Sequence, residues 1–363
     1  MMKIKFSEHI KNLTPYQPGK PVKEVEREYG LKNSIKLASN ENPLGPSPKA
    51  VAAAKRALKQ ANFYPEGSGF YLCQSLSKHF KVPFDSIILG NGSVELIEIA
   101  AKSLIEKGLN IVMSQNSFSL YKIATLAMGG EVKEVKMTAD RCHDLKAMAK
   151  AVDENTRILI VANPDNPTGT YRPFSEIEAL LKDVPESVLV IIDEAYKEYV
   201  RKKDYKSAQC LLENHPNLMV LGTFSKAYGL AGLRVGYGFG NPEVIGMLHK
   251  VRSPFNTSLI AQEACIYALE DQEFIKKVAD LNESEMAFIE KELKKLGLKY
   301  TPSVGNFILV DIPIKAGEFF EKLLREGVIV RPMGGFPDSI RVTLGTRRQN
   351  IKFLKATKKV LNL

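Results

Sequence analysis

Residues 157–196 read RILIVANPDNPTGTYRPFSEIEALLKDVPESVLVIIDEAY. Two short apolar runs, 158–162 and 188–192, enclose a stretch over 174–183 with helical spacing. A strand that is apolar at every position is buried on both faces, so the pair predicts neighbouring strands of a parallel sheet covered by helices. Each run stops at a polar loop, NPDNPTG in one case and DEAY in the other. In an open α/β sheet, ligands gather at the carboxyl ends of the strands, where such loops lie.

The same alternation extends in both directions. Upstream it predicts helices over 48–61 and 68–80, strand SIIL, helix 93–106, strand NIVM, a helix near 118–128, strand EVKEVKM and helix 144–152. Downstream come strands LMVLG and RVGYGF, then a long polar helical stretch over 257–296. The last part reads as strand NFILVD, helix 316–326, strands GVIVR and IRVTLG, and a basic helix over 347–361. The fold class is therefore α/β: a large domain with a mostly parallel, doubly wound sheet and a smaller C-terminal α/β domain. Residues 1–45 are dense in Pro, Gly and Asn, with a short charged helix at EVEREYG. They are expected to form an arm on the small domain or on a partner subunit, before a large domain at 46–256 and a bridging helix plus small domain at 257–363.

Composition narrows the function classes. The 363 residues are 44% hydrophobic and 25% charged, the usage of a soluble folded protein. No run of about 18 apolar residues occurs, and MMKIKFSEHIKNL lacks a secretory signal, so no membrane is expected and the cytoplasm is the expected address. Cys73, Cys142, Cys210 and Cys265 lie far apart and read as free thiols, and the five histidines are scattered, so no metal site is expected. The net charge of +10 comes from bases interleaved with acids. That pattern predicts no nucleic-acid partner but a basic surface suited to anionic substrates.

Several polar residues at strand ends have both chemical and structural readings. Lys226, in TFSKAYGLAGLR, is framed by hydroxyls, small residues and Arg234. An amine in such a turn has a lowered pKa and can condense with a carbonyl, which suits an aldehyde cofactor such as pyridoxal phosphate. Most lysines are solvated surface groups, so the segment alone leaves both readings open. Asp193 ends an apolar strand, where an unpaired carboxylate is costly; a pyridinium nitrogen, a magnesium ion or a helix cap would satisfy it. No G-x-x-x-x-G-K-[ST] loop supports the nucleotide version. Asn166 sits in a proline-stiffened turn, able to bond a ring oxygen or simply to shape the turn.

GNGSVE, at 90–95, opens a helix after a strand and offers backbone N–H groups to a phosphate, with Thr223, Ser225 and Arg234 to complete the shell. Phe118 and Tyr121 lie at the next strand-to-helix turn, where a ring could stack on a heterocycle or belong to the core. Arg331 and Arg341 flank the loop PMGGFPDS and suit anion recognition or surface ion pairs.

In order and spacing, Asn166, Asp193, Tyr196, Ser225, Lys226 and Arg234 resemble the pyridoxal-phosphate-dependent aminotransferases of fold type I. The whole chain resembles the histidinol-phosphate aminotransferase family of class II, through LTPYQPGKPVKEVEREYGL, KLASNENPLGPSP, FYPEG, NPDNPTG, the lysine run and IRVTLGT. The resemblance implies that Lys226 forms the Schiff base with the cofactor and acts as general base. Asp193 pairs with the pyridine nitrogen, and Asn166 and Tyr196 hold the phenolic oxygen. Gly92, Ser93, Thr223, Ser225 and Arg234 surround the phosphate, and Phe118 stacks on the ring. Tyr64 reaches the neighbouring subunit's cofactor, which implies a homodimer with shared sites. Arg341 holds the substrate α-carboxylate, while Arg331, Tyr16 and Asn40 approach the other substrate end. The implied reaction moves an amino group between L-glutamate and imidazole-acetol phosphate, giving L-histidinol phosphate and 2-oxoglutarate in histidine biosynthesis.

Three departures bear on this. Val94 replaces a common acidic residue, Asp165 stands where asparagine is commoner, and the loop between Arg331 and Arg341 resembles a subgroup that accepts aromatic amino acids. The same residues would serve an aromatic or broad-specificity aminotransferase, or a decarboxylase of the same fold. A regulator that senses the cofactor would need an added DNA-binding module, for which the arm is too short and too rich in Pro and Gly.

Overall fold

The computed structural model describes residues 4–363. The first three residues of the expected arm lie outside the described residues. The arm carries α1 (Glu8–Lys11), α2 (Val22–Tyr29) and strand β1 (Ile35–Lys36). Val25 of α2 is buried with Ala38, Leu324 and Ile329. The arm thus packs on the C-terminal unit of its own chain.

Next come α3 (Pro48–Ala57), α4 (Phe70–Phe80), β2 (Ile87–Gly90), α5 (Ser93–Leu104), β3 (Asn110–Ser114), α6 (Ser119–Ala127) and β4 (Glu131–Val135). They are followed by α7 (Leu145–Lys150), β5 (Thr156–Ala162), α8 (Phe174–Asp183), β6 (Leu189–Asp193), β7 (Leu218–Thr223), β8 (Gly236–Gly240) and α9 (Pro242–His249). Seven strands form one sheet in the order β2-β8-β7-β6-β5-β3-β4. In β5 to β7 the side chains divide between two cores. Ile158, Ile160, Leu189, Ile191, Met219 and Leu221 face one helical layer. Leu159, Val161, Val190, Ile192, Leu218 and Val220 face the other. Burial on both sides explains why these strands read as unbroken apolar runs.

Strand β8 is antiparallel to both β2 and β7. Its first residue, Gly236, pairs with Gly90 at the end of β2 and with Thr223 at the end of β7. That register brings the segment before β8, with Arg234, to the sheet edge where β2, β5, β6 and β7 end.

The helical stretch expected over 257–296 is two helices, α10 (Leu259–Glu270) and α11 (Gln272–Lys295). Asp271 between them leaves the helical region at ψ 60°, and its carboxylate accepts a hydrogen bond from Ser47 Oγ at 2.5 Å. Helix α10 packs on α3 and α4, sharing a core that includes Leu72, Leu76, Ala264 and Cys265. The chain then forms β9 (Tyr300–Thr301), β10 (Phe307–Asp311), α12 (Ala316–Arg325), β11 (Val328–Ile329), β12 (Arg331–Met333), β13 (Phe336–Thr343) and α13 (Arg347–Leu361). Strands β12-β13-β10-β9 make a second sheet, and β11 pairs in parallel with β1 of the arm. This C-terminal unit has its own core around Leu293, Ile308, Phe319, Val342 and Phe353. No described helix is long and apolar enough to cross a membrane.

Candidate active site

A cavity of about 260 Å³ lies at the carboxyl ends of β5, β6 and β7, between the large sheet and strand β13. Its lining includes Lys226, Asp193, Tyr196, Asn166, Phe118, Ser93, Thr223, Ser225 and Arg234. Tyr16, Asn40, Arg331 and Arg341 close it from the arm and the small unit. Two of the expected residues stand elsewhere. Gly92 lies behind the lining, where a Cβ would run into the Arg234 guanidinium. Tyr64 is 82% exposed on the surface, stacked on Phe255 with ring centroids 4.9 Å apart.

Lys226 stands three residues after Thr223, the end of β7. Its Nζ donates to the Ser39 carbonyl at 3.2 Å and lies 5.5 Å from the centre of the Tyr196 ring. Burial lowers its pKa to about 7, aided by the positive charges of Arg341 and Arg234. A neutral, nucleophilic amine is therefore available near neutral pH.

Asp193 is the last residue of β6. Its Oδ1 accepts from the Ala195 backbone N–H at 3.1 Å, and its Oδ2 accepts from Tyr121 Oη at 2.8 Å. Burial raises its pKa, outweighing those two bonds and the nearby Lys226. Tyr121 is 1% exposed and meets Phe118 edge-on at 5.4 Å. Both aromatics expected at this turn line the cavity, and the Tyr121 hydroxyl is committed to Asp193.

Asn166 is held by the rigid turn after β5, whose Asn163–Pro164 peptide is cis. The neighbouring Asp165 is fully buried and accepts from Ser117 Oγ at 2.6 Å and Thr168 Oγ1 at 2.8 Å. A carboxylate here is thus matched by hydroxyl donors. Arg341 of β13 donates to Asn166 Oδ1 at 2.5 Å and to the Ala38 carbonyl at 2.6 Å.

Arg234 has a left-handed backbone, φ 57°, and donates to Ser225 Oγ at 3.3 Å. Thr223 Oγ1 accepts from the Ser225 backbone N–H at 3.1 Å, so the hydroxyls and guanidinium converge beside the start of α5. There Gly92, at φ 78°, provides the helix N-cap. The group forms an anion seat of backbone N–H donors, hydroxyls and one fixed cation.

Arg331 lies over the Tyr16 ring at 5.5 Å and donates to the Gln17 carbonyl. Asn40, expected beside this pair, lines the same cavity. Its amide donates to Tyr196 Oη at 3.0 Å. Burial pushes the Tyr196 phenol up to about 12, so it remains a hydrogen-bond donor at neutral pH. Sequence reasoning missed the partners Ser39 and Thr343, and it placed Tyr121 as a stacking or core ring, not as the hydrogen-bond donor to Asp193.

Among the described residues, no group of three or more His, Cys, Asp or Glu side chains is arranged to hold a metal. A buried amine of low pKa, a strand-end carboxylate and an anion seat around one cavity define a site for carbonyl–amine chemistry. The chain belongs to the class I and II aminotransferase family, whose model matches residues 32–356.

Within that family it is similar to a histidinol-phosphate aminotransferase 2 of Pseudomonas fluorescens (strain Pf0-1), with 47% identity over 97% of this chain and 96% of the relative. It is 44% identical to the histidinol-phosphate aminotransferase of Moorella thermoacetica, over 98% of this chain and 93% of the relative. The crystal structure of histidinol-phosphate aminotransferase from Sinorhizobium meliloti in complex with pyridoxal-5'-phosphate superposes with a TM-score of 0.91. It has 28% identity and covers 99% of this chain and 98% of that one.

Proposed function

We propose that the chain is a pyridoxal-phosphate-dependent aminotransferase that moves the amino group of L-glutamate to imidazole-acetol phosphate, giving L-histidinol phosphate and 2-oxoglutarate in histidine biosynthesis. The observation that carries this reading is Lys226, a buried amine with its pKa near 7, facing a cavity that also holds a buried carboxylate. The relatives named above support the choice of acceptor.

The residues fit the cofactor. Among the described residues, Asp193 accepts hydrogen bonds from Tyr121 and Ala195 but has no cation within ion-pair distance, so a pyridinium N–H would match it. The space kept free by Gly92 admits the Arg234 guanidinium to the anion seat, where Ser93, Thr223 and Ser225 would share the phosphate. Asn166 and Tyr196 would hold the phenolic oxygen, Phe118 would cover the ring, and Lys226 would bind the aldehyde carbon.

When bound, the cofactor acts as an electron sink that makes the substrate α-proton removable. Lys226 Nζ takes that proton and returns it, which its low pKa permits. Asp193 keeps the ring nitrogen protonated. Arg341 binds the anion next to the reacting carbon, and Arg331 with Tyr16 borders the distal end. There a neighbouring pocket of about 270 Å³ has a mixed lining, with Met113, Phe118, Pro332 and Met333 beside Lys122 and Glu134. Its apolar side chains also suit a benzene ring, and favour as second reading an aromatic or broad-specificity aminotransferase.

We further propose a homodimer in which Tyr64 completes the partner's site, and a cytoplasmic setting, which suits the four free cysteines. The exposed rings of Phe63, Tyr64, Tyr71 and Phe255 support such an interface. Mixing inactive Tyr64 and Lys226 variants then restores activity in hybrids, and no active hybrid would contradict shared sites. The arm at 1–45, large unit at 46–256 and small unit at 257–363 belong to the same proposal, with α10 serving the large unit's core.

The test of function compares imidazole-acetol phosphate, phenylpyruvate and oxaloacetate as acceptors from glutamate. The highest kcat/KM is expected for imidazole-acetol phosphate. A higher value for phenylpyruvate would establish the second reading, and no transfer to any acceptor would exclude both.

A further inference from the structure

Asn40 sits at φ 55°, 1% exposed, at the junction of the arm, the large unit and the small unit. Its hydrogen bonds run in one direction. The Asn40 backbone N–H donates to Thr343 Oγ1 at 2.9 Å, and the Thr343 hydroxyl donates to Asn40 Oδ1 at 3.0 Å. The Asn40 Nδ2 then donates to Tyr196 Oη at 3.0 Å. Asn306 Nδ2 holds the Asn40 carbonyl at 3.0 Å, so the backbone cannot turn away.

A hydroxyl has one hydrogen to give. Because Thr343 accepts from a backbone N–H, its own hydrogen is free for Asn40 Oδ1, and this fixes which end of the amide faces Tyr196. Were the amide reversed, Thr343 would meet two donors, while Tyr196 would spend its hydrogen on Asn40 Oδ1. In the observed order the phenol receives a hydrogen bond, and its own hydrogen is directed into the cavity. The ring is also gripped from the small unit, since Phe307, the register partner of Thr343, meets Tyr196 edge-on at 5.0 Å.

We propose that Thr343 is a positioning residue which, through the Asn40 amide, makes Tyr196 an obligatory hydrogen-bond donor to the cofactor's phenolic oxygen. This rests on the reading of the cavity as a pyridoxal-phosphate site. Thr343 lies two residues from Arg341 on the same face of β13, so one strand carries both the anion ligand and the group that orients Tyr196. The charged and titratable groups around Tyr196 are Arg341, Asp193, Tyr16 and Lys226, and Thr343→Val leaves all of them in place.

The experiment is a pH titration of the protonation-sensitive absorption band of the holoenzyme. Loss of the Tyr196 hydrogen bond destabilises negative charge on the phenolic oxygen, so the protonated form persists to higher pH. For Thr343→Val the midpoint is expected to rise by about one pH unit, the size of one hydrogen bond to a charged oxygen. Thr343→Ser, which keeps the hydroxyl, should titrate as wild type. Thr343→Ala removes the hydroxyl together with the γ-methyl, so no methyl takes the place of the hydroxyl, and it carries the same expectation as Thr343→Val. An unmoved midpoint in the Val and Ala variants, or an equal rise in Thr343→Ser, overturns the inference alone. A wild-type protein without such a band overturns the reading beneath it, and the inference with it.

Discussion

Arg341 Nη1 donates to Asn166 Oδ1 at 2.5 Å, joining strand β13 of the small unit to the loop after β5 of the large one. The Arg341 Nε is buried without a partner, and burial lowers the pKa of the guanidinium. A cation so poorly matched within the protein is ready for an anion with two-point geometry. Arg341→Lys should raise KM for glutamate by about 10- to 100-fold, the cost of losing a charge-assisted bidentate contact. Steady-state kinetics check this. An unchanged KM would remove Arg341 from substrate binding.

Tyr121 approaches Asp193 from helix α6, and its hydroxyl is the carboxylate's one side-chain donor among the described residues. Tyr121→Phe keeps the ring packing and deletes the bond. The expected result is a folded protein with kcat lower by about 10- to 100-fold, since a hydrogen bond to a charged group is worth ~1.5–3 kcal/mol. Circular dichroism and turnover measured together separate this from unfolding; wild-type turnover would show that Asp193 needs no such support.

Lys226 has an ordinary pKa of 10.5 when unfolded and about 7 when folded without cofactor. Between these values the unfolded chain binds more protons, so this residue's contribution to stability rises with pH, by at most about 1.4 kcal/mol per unit. The contribution is complete above 10.5 and is lost as pH falls towards 7. In cofactor-free protein, the stability of wild type relative to Lys226→Met should therefore climb across that window in urea unfolding. Parallel curves for the two proteins would mean that the amine is not desolvated.

Gly92, at φ 78°, has no room for a Cβ beside Arg234. Gly92→Ala should leave the core intact but weaken cofactor binding by about tenfold or more, since left-handed strain and a displaced cation each cost about 1 kcal/mol. Equilibrium titration of the cofactor-free protein measures this. Wild-type affinity would place the phosphate elsewhere.

Much of this arrangement was legible in the chain because it depends on local rules. Apolar runs marked β5, β6 and β7, and the polar loops that end them marked Asn166, Asp193 and Lys226. Contacts between distant segments left no such trace. Tyr121 and Asp193 are 72 residues apart, and Asn40 and Thr343 are 303 apart. No spacing rule connects either pair. The break at Asp271 was hidden for a similar reason, since its partners Ser47 and Lys49 belong to the start of α3. The placement of Arg234 depends on β8 running against its neighbours, a feature of sheet topology that its apolar pattern does not encode.

The central claim is that Lys226 carries the cofactor. Borohydride reduction of the holoenzyme, followed by proteolysis and mass spectrometry, tests it directly, because reduction makes the lysine–aldehyde linkage permanent. The peptide containing Lys226 should carry the pyridoxyl group in near-stoichiometric yield. A label on a different lysine, or none at all, would contradict the account.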